Sequence, residues 1–255
     1  MATALVTGAS AGIGRTFAVQ LAARRHDLVV VARNEGRLRE LSAQLERDHG
    51  IAVEVLVADL SQREGMQVVA DRLADRDRPV DLLVNNAGFG LKQPFLRNDV
   101  QDEEEMLTVL VRSVLVLSHA AGLAMRERGH GAIVNVSSVA GFMASGTYAA
   151  AKSYVTVFSE GLSQELAGTG VTVTALCPGF TRTEFHERAG IRGHGIPDFM
   201  WLQADALVRD CLDDVDKGKV ISVPGWQYKI ASTALRVLPR PLVRNGLLAQ
   251  RHRPQ

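Results

Sequence analysis

Cysteine is scarce: Cys177 and Cys211 are the only two in 255 residues, and no ligand-like spacing surrounds them. That excludes a disulfide framework and a metal knuckle. Metal-ligand motifs are missing as well. His186 and His194 stand without an HExxH pattern or a carboxylate cluster, so no metal is expected and both read as solvated or substrate-facing. An excess of one charge is also lacking. The 29 Lys and Arg offset 28 Asp and Glu to leave a formal net charge of +1, which argues against nucleic acid as a main partner. No unbroken apolar run reaches the roughly eighteen residues that would read as a membrane span. The N-terminus enters a strand-like run with neither a basic region nor a cleavage motif, so a soluble cytoplasmic protein is the expectation. Low-complexity linkers and internal repeats are absent, and 46% hydrophobic with 22% charged residues is ordinary globular composition. The length suits one domain spanning 1–255.

What is present is a regular alternation of elements. Strands are predicted near 3–7, 28–32, 51–57, 80–84, 131–136, 170–176 and 219–223, and helices near 13–25, 35–48, 62–76, 103–128, 147–167 and 203–215. Runs such as LVVVA and AIVNV are continuously or nearly continuously apolar, which suits strands buried on both faces. The prediction is a single-domain α/β fold: a Rossmann-like, doubly wound parallel sheet of about seven strands with helices on both faces.

The first strand runs directly into Gly8, Gly12 and Gly14, and a helix-period pattern follows through Phe17, Val19, Leu21 and Ala22. A strand, a Gly-rich turn and a helix N-terminus together form an anion cradle. Missing Cβ atoms let the backbone approach a pyrophosphate, and free N–H groups with the helix dipole meet its charge. Further on, Tyr148 and Lys152 lie four residues apart in the helical stretch TYAAAK, one turn apart on one face. A phenol has a pKa near ~10 in water, and a neighbouring cation favours its ionised form. Such a pair can move a proton on or off an alcohol oxygen.

With TGASAGIG at 7–14, Asp59–Leu60 after the third strand, NNAG at 85–88, VSS at 136–138, YAAAK at 148–152 and PG at 178–179, the chain resembles the classical short-chain dehydrogenase/reductase family from end to end. The resemblance implies that Gly8, Ser10, Gly12, Ile13 and Gly14 line a cofactor diphosphate. It puts Asp59 and Leu60 at the adenine, Asn86 to Gly88 along the cofactor, and Pro178, Gly179 and Thr181 beside the nicotinamide. Ser138 would hydrogen-bond the substrate oxygen, Tyr148 would exchange its proton, and Lys152 would hold the nicotinamide ribose and depress the tyrosine pKa. Ser138 is chosen over Ser137 because adjacent strand residues face opposite ways and the resemblance favours the second serine. The implied chemistry is hydride transfer between nicotinamide and a carbonyl or alcohol. Two departures stand out. Leu110 occupies the place of the family's helix asparagine, which holds a water on a proton path to the lysine. The Ser138–Tyr148 interval is ten residues, shorter than the family pattern, with the deficit in 141–146. Both keep open a catalytically impaired NADP(H)-binding sensor or scaffold, and the same fold also serves sugar-nucleotide epimerisation.

Cofactor choice is written at the end of the second strand. LVVVARNEGRL carries Arg33 and no carboxylate there. A guanidinium grips a ribose 2′-phosphate where an acid would repel it, so NADP is expected, with Arg37 a weaker second contact. Residues 180–201 read as a substrate lid in which Gly190, Gly193, Gly195 and Pro197 break the rhythm. Its Phe185, Ile191, Ile196, Phe199, Met200 and Trp201 point to a substrate with a sizeable nonpolar part, or to packing on the lid's own domain or a neighbouring subunit. Residues 226–255 form a basic amphipathic extension, without Asp or Glu, that could cover this protein, a second subunit or an anionic membrane surface. The resemblance further implies a homodimer or homotetramer built on the helices near 103–128 and 147–167.

Overall fold

The computed structural model describes residues 2–184 and 197–238. Seven strands form one parallel sheet: β1 (Thr3–Thr7), β2 (Asp27–Ala32), β3 (Val53–Val57), β4 (Leu82–Asn85), β5 (Gly131–Val136), β6 (Val171–Leu176) and β7 (Ile221–Ser222), in the order β3-β2-β1-β4-β5-β6-β7. Helices α1 (Gly12–Ala23), α2 (Glu35–His49), α3 (Arg63–Ala74), α4 (Val100–Leu107), α5 (Ser113–Arg128), α6 (Gly146–Glu165), α7 (Ala204–Asp216) and α8 (Trp226–Val237) complete the described chain. Chain direction across the sheet reverses between β1 and β4, and a crevice opens there at the carboxyl ends of the strands.

Strand side chains alternate, and each set meets its own helix layer. Ala4, Val6, Val30, Val84 and Val134 pack with Phe17 and Leu21 of α1, Leu38 of α2 and Leu207 of α7. On the other face Leu5, Val29, Val31, Leu83 and Ile133 meet Met66 and Leu73 of α3 and Leu117 and Met125 of α5. Both faces of every central strand are therefore dry, which is why those runs are apolar throughout.

Element bounds shift slightly from the sequence reading: β3 starts at Val53, β7 shrinks to two residues, and the central helix begins at Val100. That central helix is continuous to Arg128 but is interrupted at Thr108–Arg112 by a π-helical turn. It is long and apolar enough to span a bilayer, yet half of its apolar stretch is buried and Leu117, Ala121 and Met125 fill the core beneath the sheet. A core helix explains its composition. The C-terminal extension begins as α8, whose Tyr228 and Ser232 are buried against the body of the protein.

Candidate active site

The crevice is closed by hydrogen bonds between the loops after β1 and β4. Thr7 Oγ1 accepts from the Asn86 and Ala87 amides at 2.9 and 3.0 Å, and Asn86 Nδ2 donates to Thr7 O at 2.9 Å. The Asn86 carboxamide is thus committed to the loop, and Thr7, which sequence reasoning passed over, organises it. Gly8 and Gly12 hold left-handed backbone with φ of +67° and +52°. A Cβ on Gly14 would lie 2.3 Å from both Gly8 O and Asn86 Nδ2, so this glycine serves internal packing as well as any phosphate. No side chain caps the N-terminus of α1, and its first turn carries no acid. Ser10 and Ile13 lie half-buried beside it. Backbone N–H groups with no competing cap are what a diphosphate requires, so the residues present fit the nucleotide.

At the outer end of the crevice Arg33 Nη1 lies 3.9 Å from Asp59 Oδ2, with the arginine side chain 68% exposed. Asp59 Oδ1 accepts from the Ser61 amide at 2.9 Å, and Leu60 is buried. Arg37 instead pairs with Glu184 at 3.2 Å. At the end of β2, Arg33 is therefore an exposed cation facing the Asp59 carboxylate.

The three polar residues implied for chemistry meet at the end of β5. Ser137 turns inward: its Oγ donates to Lys152 O and contacts Thr156 Oγ1, both at 2.7 Å. Ser138 faces the other way, accepts from the Ala140 amide at 3.1 Å, and hydrogen-bonds the Tyr148 hydroxyl. Burial pushes the Tyr148 phenol up to about 12, the reverse of the depression the resemblance implied, and it is the Ser138 hydrogen bond rather than Lys152 that pulls in the opposite direction. Lys152 Nζ donates to Val136 O at 2.7 Å and lies 5.8 Å from the centre of the Tyr148 ring. Its cation thus stands over the ring face, and burial brings its pKa down to about 8.

The short Ser138–Tyr148 interval is taken up by a 3-10 turn at Val139–Phe142 and by α6 starting at Gly146 with φ of +67°. Gly141 is where the turn touches α6, since a Cβ there would sit 2.8 Å from the Lys152 carbonyl carbon. Serine and tyrosine remain in hydrogen-bond reach. Leu110 sits in the π-helical turn, buried with Met106 and Ala151 against Tyr148, Phe89 and Leu91. A Cβ on Gly88 would lie 2.7 Å from Leu110 Cδ2, so the leucine links the loop after β4 to the tyrosine. It puts an apolar side chain where the resemblance implied an asparagine.

On the opposite wall, Pro178–Gly179 leads to Thr181, which is buried with its Oγ1 donating to Gly179 O at 3.0 Å. Gly179 lies flat against Tyr228 of α8: a Cβ would be 2.0 Å from the ring. The Tyr228 hydroxyl accepts from the Phe180 amide at 3.0 Å and donates to Met200 O at 2.6 Å. Arg236, two turns further along α8, lies 4.6 Å over the Phe142 ring. The helix therefore holds both walls of the site, a role that its basic amphipathic sequence does not reveal. Phe185, Ile191, Ile196, His186 and His194 of the expected lid fall outside the described residues. Among the described residues no cluster of potential metal ligands occurs.

Residues 2–191 match the short chain dehydrogenase family, and the chain belongs to it. Its members are NAD(P)(H)-dependent oxidoreductases. A short-chain dehydrogenase from Sphingobium yanoikuyae, solved in complex with NADPH, is 35% identical and superposes over 98% of each chain with a TM-score of 0.87. The bulky-bulky ketone specific alcohol dehydrogenase of Comamonas testosteroni is 30% identical, with a TM-score of 0.81 over 100% of this chain and 99% of that one. Sulfoacetaldehyde reductase 2 of Chromohalobacter salexigens is 38% identical over 186 residues, 71% of this chain and 73% of its own.

Proposed function

We propose that the protein interconverts a carbonyl and an alcohol with NADP(H), on a substrate with a substantial apolar portion. The observation that carries this is the hydrogen-bonded Ser138–Tyr148 pair with the Lys152 ammonium beside it, after the carboxyl end of β5 in the same parallel sheet whose β1 leads into the uncapped glycine-rich turn. When bound, the nicotinamide supplies the hydride chemistry. Gly8, Ser10, Gly12, Ile13 and Gly14 would hold the diphosphate, Asp59 and Leu60 the adenine, and Arg33 the 2′-phosphate. The loop Asn86–Gly88 and the turn Pro178–Thr181 would flank the rest. Ser138 donates a hydrogen bond to the substrate oxygen and fixes its position. Tyr148, protonated at neutral pH, gives that oxygen its proton in reduction and takes it back in oxidation. Lys152 provides the positive field and a grip on the ribose.

Apolar side chains support the substrate class. Phe89 and Leu91 pack beside Tyr148, Phe142 lines the turn after Ser138, and Phe199 stands exposed on the wall held by α8. The name of the Comamonas relative agrees with a bulky ketone, whereas the Chromohalobacter name denotes a small charged aldehyde. Rates of NADPH oxidation across matched bulky apolar and small polar carbonyls, sulfoacetaldehyde included, decide between them. A higher kcat/KM for the bulky members is expected, and preference for the small polar ones would overturn the substrate class.

Cofactor choice has its own test. NADPH is expected to bind more tightly than NADH. Arg33→Ala should weaken NADPH on the order of tenfold, the worth of one charged hydrogen bond, and leave NADH unchanged. Equal losses for both cofactors would remove Arg33 from the 2′-phosphate.

The pH dependence follows from Lys152. Its ammonium is charged below about 8 and neutral above, so the field and the ribose contact are lost as pH rises. NADPH affinity measured by fluorescence should fall through that pH in the wild type and lose the inflection in Lys152→Met. An unchanged inflection in the variant would assign it to another group.

A further inference from the structure

The structure points to an interaction surface on the outer side of α8, and we propose that it docks the protein on an anionic phospholipid surface. Tyr228, Ser232 and Arg236 use up the inner side of this helix. Trp226, Ile230 and Val237, four and eleven positions along, form one stripe on the opposite side and are 70%, 65% and 80% exposed. Large apolar side chains aligned in this way, a tryptophan at one end, are the insertion face of an interfacial helix.

Charge selects the occupant. From Lys217 to Gln255 the sequence holds eight Lys and Arg and no Asp or Glu, while the preceding residues hold 21 bases against 28 acids. The near-neutral total therefore conceals a basic C-terminal segment on an otherwise acidic protein, and Lys229 flanks the apolar stripe directly. Anionic headgroups complement that segment. A second copy fits it poorly: a two-fold contact through α8 would bring two acid-free basic segments together. The surface is independent of the substrate assignment, but its place matters, since the inner side of the same helix holds both walls of the active site. Docking sets the mouth of the site beside the lipid.

The test uses the full chain with vesicles of phosphatidylcholine alone or with one quarter phosphatidylglycerol. Expected results are sedimentation with the anionic vesicles, weakening on raising salt from 0.1 to 0.5 M, and a blue shift of tryptophan fluorescence. Trp226→Ala with Ile230→Ala should lower the partition coefficient at least tenfold and abolish the shift, although Trp201 remains. Lys229→Glu should weaken binding to anionic vesicles only. Unchanged thermal unfolding and NADPH affinity establish that the variants are folded. No binding to anionic vesicles, or equal binding by the double variant, overturns the proposal. So does a wild-type oligomer that the double variant converts to monomer, which would assign the face to a second copy. A chain ending at Leu238 whose apolar face binds vesicles far more strongly than the full chain would assign the cover to residues 239–255, and would overturn it equally.

Discussion

Replacing Tyr148 by phenylalanine should lower kcat for carbonyl reduction by two to four orders of magnitude, the range for losing a positioned general acid. The change removes one oxygen and leaves the ring, whose packing against Met106, Leu110 and Ala151 is apolar and indifferent to the hydroxyl. Stability and NADPH affinity should therefore stay near wild type, the latter within about threefold. Burial has pushed the phenol up to about 12, so it is fully protonated at neutral pH and ready to donate. Oxidation needs the same oxygen to accept a proton, so the oxidation rate should climb with pH while reduction does not. Stopped-flow kinetics in both directions with titration of NADPH separates the chemical loss from a binding loss. A variant that keeps reduction within tenfold of wild type would show that the proton comes from elsewhere. Loss of cofactor binding with unchanged chemistry would make Tyr148 a binding residue only.

Local chemistry made most of this architecture readable. The glycines at 8, 12 and 14 mark a turn between a dry strand and a helix, and continuous apolar runs mark a sheet covered on both faces. Tyr148 and Lys152 stood out by sharing a helix face and Ser138 by the family resemblance with strand alternation, and the structure brings the three side chains together. What escaped were features set by distant partners. Gly179 is a glycine because the Tyr228 ring lies on it, a contact spanning 49 positions that no periodicity reports. Amphipathic spacing in α8 was visible, but which side faced inward depended on that contact. The π-helical turn at Leu110 also escaped, because its sequence TVLVR contains no helix breaker. The hydrogen bonds by which the Asn86 side chain ties its loop to Thr7 and Gly8 were likewise hidden, because only sheet order brings the two loops adjacent.

Gly14→Ala should both destabilise the protein and weaken its hold on the cofactor. The new Cβ would meet Gly8 O and Asn86 Nδ2 at 2.3 Å and the Gly8 carbonyl carbon at 2.8 Å, and two of these three are backbone atoms. No rotamer relieves such a clash. Gly8 cannot retreat easily, since its backbone is left-handed and its carbonyl accepts from Asn86 Nδ2 at 3.3 Å. Nor can α1 lift away, because Phe17 and Ala18 on its next turn are wholly buried. Overpacking of a well-ordered site costs about 1–3 kcal/mol, and a backbone collision lies at the upper end. For a chain of this size about 3 kcal/mol corresponds to a fall in Tm of roughly 10 °C. The same displacement opens the anion cradle, so NADPH affinity should drop with stability. Gly36→Ala is the matched control: its Cβ meets only Asn34 Oδ1, at an ordinary 3.5 Å, within the first turn of α2. There the alanine should be neutral or stabilise by up to about 1 kcal/mol. Thermal unfolding of both variants with and without NADPH distinguishes the cases. A Gly14→Ala protein with Tm within 2 °C of wild type would mean that the turn between β1 and α1 yields; NADPH affinity lost at unchanged Tm would mean that its glycines serve the nucleotide alone, and neither changed would remove Gly14 from both roles.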